Sequence, residues 1–295
     1  MHPIRILMKR MIDYAGLFPP AELDMPSAVA NYATYRDSAA AWALGRFIMS
    51  VSRLGEFETA AQHLLPDAQT LAPWQLSVLG TNDLHADLAA IQDFNDRYAQ
   101  RAIIDTIELK ASQASEINAA MVILPEQITP YFEIPIVDDS SALIEAIGRA
   151  GGRAKVRTGG TTQTMFPSAE DLLHFISVCV ARQVPFKATA GLHHPLRSQY
   201  RLTYQPDSER GTMYGFLNVF LSTAFLAAGM NVDEAMQVLI EESPEAFQFN
   251  DSGIDWRGRR LTDELLANAR EQLAISFGSC SFEEPIDDLK AMKLL

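Results

Sequence analysis

The chain has 295 residues, 48% of them hydrophobic, which is enough apolar sequence for one large core, and TIM barrels of roughly 250 residues are single domains. Its formal charge of −13 and pI near 4.9 exclude a general nucleic-acid or anionic-membrane surface, because both need a net basic footprint. Its two cysteines, Cys179 and Cys280, form neither a disulfide framework nor a zinc spacing, which fits a reducing cytoplasm.

The opening MHPIRILMKRMIDYAGLF is broken by Lys9, Arg10 and Asp13, unlike a signal peptide. Asp13 and Tyr14 precede a GLFPP turn and belong either to the barrel bottom or to its mouth. After an N-terminal arm and a helix near 27–38, strands are predicted at 46–50 (RFIMS), 75–79 (QLSVL), 106–110 (TIELK) and 131–136 (YFEIPI). Four more follow at 154–158 (AKVRT), 186–190 (FKATA), 247–251 (FQFND) and 274–279 (AISFGS), with MVILP at 121–125 as a substitute for FQFND.

Helical patterns lie between them at 55–65, 84–99, 141–150, 168–182, 213–239 and 262–273. The stretch 213–230 is apolar almost throughout but short for a bilayer, so it is expected to be a buried helix. Its one amide, Asn218, requires a buried partner. Eight strands alternating with helices predict α/β architecture closed as a (β/α)8 TIM barrel, with the arm over 1–41 and the barrel over 42–295.

Side chains on a barrel strand alternate between the helix layer and the interior, so the apolar set marks the outside. Ile107 and Leu109 then turn Thr106, Glu108 and Lys110 inward, and Phe132, Ile134 and Ile136 turn Tyr131 and Glu133 inward. Likewise Ala154 and Val156 leave Lys155 and Arg157 inside, and Phe186, Ala188 and Ala190 leave Lys187, Thr189 and Gly191 inside. Two carboxylates and four cations in one enclosure are costly for a barrel built only for stability, where Val, Ile and Leu fill the interior. They predict an anion-binding pocket at the C-terminal strand ends.

Loop chemistry agrees. RTGGTT places Gly159 and Gly160 beside Arg157, and SFGSCS places Ser279 after the last strand, where phosphates often bind. No GxGxxG or GxxxxGK[ST] loop occurs. Adjacency makes His193 and His194 a poor joint metal site; no metal or other cofactor is expected, and they are assigned with Arg197 to the mouth as anion ligands. Cys280 is expected to be a buried small residue and His174 a packed or surface one. A Schiff-base lysine needs a neutral amine, and Lys155 beside Lys187 is expected to lower its pKa, with Glu133 or Glu108 relaying protons.

The stretch KATAG at 187–191 resembles the KTSTG lysine strand of deoxyribose-phosphate aldolases, sharing Lys187 and Gly191. The resemblance implies a class I aldolase in which Lys187 forms the imine. The same stretch is similar to the lysine strand of quinolinate-type phosphoribosyltransferases, which implies anion binding without an imine. AGLFPP, LGRF, VRTGG, KATAGLHHP and SFGSCSFEEP together resemble a bacterial TIM-barrel family to which no reaction is attached.

The expected function is an enzyme for a small anionic carbonyl compound, a lysine-dependent lyase or aldolase. Its rivals are a transferase or isomerase that uses the same cations without an imine, with or without a divalent metal, and a non-catalytic ligand-binding barrel. The expected partner is the small-molecule substrate, not nucleic acid or membrane, and a homo-oligomer is left open.

Overall fold

The computed structural model of the protein describes residues 2–67, 72–137 and 139–295. Seven strands come first: β1 (Ile12–Tyr14), β2 (Leu44–Ser50), β3 (Trp74–Leu79), β4 (Ala102–Lys110), β5 (Thr129–Glu133), β6 (Arg153–Arg157) and β7 (Phe186–Thr189). A hairpin follows, β8 (Ser198–Arg201) with β9 (Arg210–Met213), and then an antiparallel sheet of β10 (Phe247–Asn250), β11 (Gly253–Trp256) and β12 (Arg259–Thr262). The last strand is β13 (Ala274–Ser279).

β1 to β7 and β13 form a closed parallel barrel in the order β1-β13-β7-β6-β5-β4-β3-β2. The protein is therefore a (β/α)8 TIM barrel, as the alternation predicts, but one of the expected strands is replaced by another. FQFND is β10, in the small antiparallel sheet, and the eighth barrel strand is β1, from within the segment expected to be an arm. The substitute MVILP at 121–125 lies mostly in a helix.

The helices are α1 (Pro3–Met8), α2 (Met25–Arg36), α3 (Leu54–Ala61), α4 (Leu84–Tyr98), α5 (Ala114–Ile123), α6 (Ser141–Ala150), α7 (Ala169–Arg182), α8 (Phe216–Ala227), α9 (Val232–Leu239), α10 (Asp263–Gln272) and α11 (Glu283–Ala291). Their starts use ordinary caps: Asp24, Ser168 and Thr262 each accept a backbone N–H three residues on. The apolar stretch 213–230 holds one buried helix, α8, and the longer helical pattern 213–239 divides into α8 and α9, parted at Gly229. Asn218 joins them, donating to the Val238 and Glu241 carbonyls at 2.9 and 2.8 Å and accepting from the Arg197 backbone N–H at 2.7 Å. Among the described residues no helix is long and apolar enough to cross a membrane.

Strand register explains how charge enters the barrel. Lys110 pairs with Glu133, Glu133 with Lys155, and Lys155 with Lys187, which stands opposite Ser276 of β13. Barrel strands tilt, so such a row slants from the rim into the interior. Burial follows the slope: Lys110 is exposed, and side-chain exposure falls from 15% at Glu133 to 5% at Lys155 and 1% at Lys187.

Candidate active site

The row is one end of a continuous ionic chain. Lys187 Nζ lies 2.7 Å from Asp13 Oδ2 and 2.8 Å from Glu108 Oε1. The other oxygen of Glu108 meets Lys155 Nζ at 2.8 Å, and Lys155 reaches Glu133 Oε2 at 2.6 Å. Arg157 Nε stands 3.7 Å from Glu133 Oε1 at the rim. Hydroxyls complete the buried end: Ser77 donates to Glu108 at 2.7 Å and Ser276 to Asp13 at 2.8 Å. The Arg46 backbone N–H donates to Asp13 at 2.8 Å, and the Tyr131 ring lies 5.5 Å from Lys187 Nζ. Gly45 makes room for this arrangement, since a Cβ there would stand 2.2 Å from Asp13 Oδ1.

Burial disfavours the charges of Lys187, Glu108 and Glu133, but opposite charges outweigh it. Against that burial, Asp13 and Glu108 raise the Lys187 pKa above the ordinary lysine range. Lys155 and Lys187 likewise hold the Glu108 carboxyl well below the usual range, and Lys155, Arg157 and Lys110 lower that of Glu133. The expectation that Lys155 lowers the Lys187 pKa is thus reversed. Asp13 and Glu108 both stand within 2.8 Å of Lys187 Nζ, and they stabilise its ammonium.

The chain opens into a cavity of about 260 Å3, lined on one side by Glu108, Lys110, Glu133, Lys155, Arg157 and Gly160. Thr189, Ala190, His193, Gly278 and Cys280 line the other, with Phe18 and Pro19 of the GLFPP turn. These residues sit at or beyond the C-terminal strand ends, the face where TIM barrels carry their chemistry. Two outer grooves, of about 380 and 770 Å3, share Lys110 and Glu133 with it.

The sequence-predicted residues divide three ways. Glu108, Glu133, Lys110, Lys155, Arg157, Gly160, Thr189 and His193 meet at the cavity. Lys187 lies beneath it, in contact through Glu108. Gly159, Gly191, Ser279, His194 and Arg197 do not line it.

Each of these five has another contact. Gly191, at φ +76°, lets two loops touch: a Cβ there would stand 2.9 Å from the Gly159 Cα, and one on Gly159 would strike the Phe166 ring. Ser279 Oγ accepts from the Ser281 N–H at 3.3 Å. His194 Nδ1 meets Asp288 at 2.7 Å and its ring stacks on Tyr200. Arg197 pairs with Glu242. His174, exposed on α7, meets Asp139 at 3.2 Å.

Sequence reasoning left Asp13 unplaced and missed Ser77 and Ser276. The three-residue strand IDY gives too short an alternation to read, although a lone carboxylate between Ile12 and Tyr14 is itself a signal. Among the described residues, no group of three or more His, Cys, Asp or Glu side chains is arranged to hold a metal ion. Compared with protein families and with curated proteins, the chain matches no family model and no curated protein.

Proposed function

We propose that the protein is an enzyme that binds a small anionic carbonyl compound in the barrel mouth and moves a proton at the carbon beside the carbonyl, as isomerases and lyases do. The observation that carries this reading is the ionic chain Asp13, Lys187, Glu108, Lys155, Glu133, whose open end lines the cavity. Lys110 and Arg157 at the rim supply positive charge for a phosphate or carboxylate.

Glu133 is ionised and borders the cavity, so it serves as the base. A carboxylate of lowered pKa is a weak base, and the developing oxyanion must be stabilised at the same time. Lys155, an ammonium donor 2.6 Å from Glu133, does this by donating to the carbonyl oxygen. Lys187 holds Glu108 ionised behind Lys155 and needs no contact with substrate. Both lysines lie between carboxylates, a geometry that suits charge stabilisation better than the neutral amine an imine requires.

Wash-out of the proton next to the carbonyl in deuterated water, followed by NMR over a panel of 2-oxo acids and phosphorylated aldehydes and ketones, tests this reading. At least one compound is expected to exchange, and Glu133→Gln to slow it by about 100-fold or more. A borohydride-trapped adduct on Lys155 or Lys187 would replace proton transfer by the imine mechanism of an aldolase. Binding without exchange or adduct would favour a ligand-binding barrel, and no binding at all would sink both.

A further inference from the structure

A second reactive cluster stands across the mouth from Glu133. Cys280 follows β13, which lies four strands around the eight-stranded barrel from β4 and three from β5. Its Sγ is 4.0 Å from His193 Nδ1, on the loop after β7, and 3.5 Å from the Tyr204 hydroxyl, between β8 and β9. Glu284 in the first turn of α11 holds both neighbours, with Oε2 3.1 Å from the same His193 nitrogen and 3.0 Å from the Tyr204 hydroxyl. Cys280 and His193 both line the mouth cavity.

This arrangement suits separated charge. A carboxylate hydrogen-bonded to an imidazole stabilises its protonated form, and an imidazolium beside a thiol stabilises the thiolate. Burial opposes the charge on His193, but Cys280 and Glu284 outweigh it and raise its pKa to about 9. The other titratable groups around the pair are Tyr204 and Tyr14, both kept neutral chiefly by burial, and Glu283 and His194, which act on Tyr14 and Glu284. Cys179 is the contrast: it lies fully buried in α7, and burial alone pushes its thiol up.

We propose that Cys280 and His193 form a thiolate–imidazolium pair that makes the mouth a nucleophilic site for small carbon electrophiles. The sulfur lone pair forms a C–S bond. With an alkyl halide, the halide leaves with the bonding electrons; with an aldehyde, the carbonyl π electrons move to oxygen, which takes the imidazolium proton. Neither step needs an oxidant or reductant.

Iodoacetamide tests the pair on the intact protein, with peptide mass mapping of Cys280 and Cys179 at a series of pH values. It needs no anionic carbonyl group, so this result and the exchange experiment fail independently. Alkylation of Cys280 is expected to change less than about threefold from pH 6 to 8, where an unpaired thiol of pKa near 8.5 rises roughly 80-fold. Cys179 should stay unlabelled, and His193→Gln should restore the steep profile at Cys280. A steep profile in the unaltered protein overturns the proposal without any variant, and so does a shallow one that survives His193→Gln. Glu284→Gln, a milder change to the same ring, should give an intermediate slope.

Discussion

Two buried cations, Lys187 inside the barrel and Arg270 on the helix α10 packed against it, are solvated in opposite ways. Arg270 of α10 is surrounded by backbone: it donates to the carbonyls of Leu7 at 2.5 Å, Ile275 at 2.8 Å and Lys9 at 3.2 Å, and also to that of Ala274. Lys187 meets two carboxylates. Burial pulls the Arg270 pKa down to about 10, whereas Asp13 and Glu108 overcome burial and push that of Lys187 up. Arg270 ties α1 to the start of β13 at the bottom of the barrel, where buried charge serves stability. Lys187 belongs to a chain that ends in a cavity.

The largest effect expected from breaking this comparison is that of Lys187→Met, which leaves Asp13 and Glu108 buried without their shared cation. Uncompensated buried charge costs about 3–5 kcal/mol, read as a lower urea midpoint. The companion Arg270→Met leaves only neutral carbonyls behind, so a smaller loss of about 2–3 kcal/mol is expected. It should not disturb ligand exchange per folded molecule. Equal losses from the two variants would mean that the carboxylates around Lys187 are not ionised, and the contrast between the cations would collapse.

Acid titration separates them by a smaller margin. Glu108 and Glu133 have folded pKa values below the unfolded value of about 4.3, so their contribution is full above that pH and fades as pH falls through the folded values. The Lys187 contribution is full below the unfolded lysine value of about 10.4 and is lost only as pH rises beyond it. Stability from this chain should therefore be level from about pH 5 to 10 and fall below pH 4 by about 1.4 kcal/mol per pH unit for each proton taken up. Urea unfolding across that range should show a gentler acid slope in Glu108→Gln. Arg270→Met should change the acid slope less than Glu108→Gln does, since its hydrogen-bond partners are carbonyls that do not titrate.

The same contrast shows what could be read from sequence. Glu108, Glu133, Lys155 and Lys187 each alternate with apolar neighbours on strands of four or more residues, so period-two patterning alone turns them inward. Asp13 escapes because β1 has three residues and pairs with β13, more than 260 positions away, which no local pattern reports. FQFND has the alternation of a strand, but alternation does not separate a parallel barrel strand from a hairpin. The NDSG at 250–253 is the turn signal that does, and the hairpin is what forms. The partners of Cys280 come from three separate segments, the loop after β7, the β8–β9 turn and α11, so their convergence is a property of the closed barrel alone.

The smallest effect, and the one that fixes the scale, is expected from a half-buried cation paired at the surface. Closeness in sequence to His193 places Arg197 at the anion site, yet its guanidinium pairs with Glu242 and does not line the mouth cavity, while its backbone N–H donates to Asn218. Surface pairs of this kind contribute about 0–1 kcal/mol, and Arg197→Ala keeps the backbone bond. The urea midpoint should shift by no more than that, and less at high salt. Any ligand exchange at the mouth should keep its apparent affinity within about twofold, because an anion held by Lys110 and Arg157 loses no contact. A tenfold weakening of a phosphorylated ligand by Arg197→Ala, with the midpoint unchanged, would show that the loop carrying Arg197 closes over the mouth when ligand binds. Arg197 would then belong with Lys155 and Arg157, and paired surface charge could no longer be read as structural by its position alone.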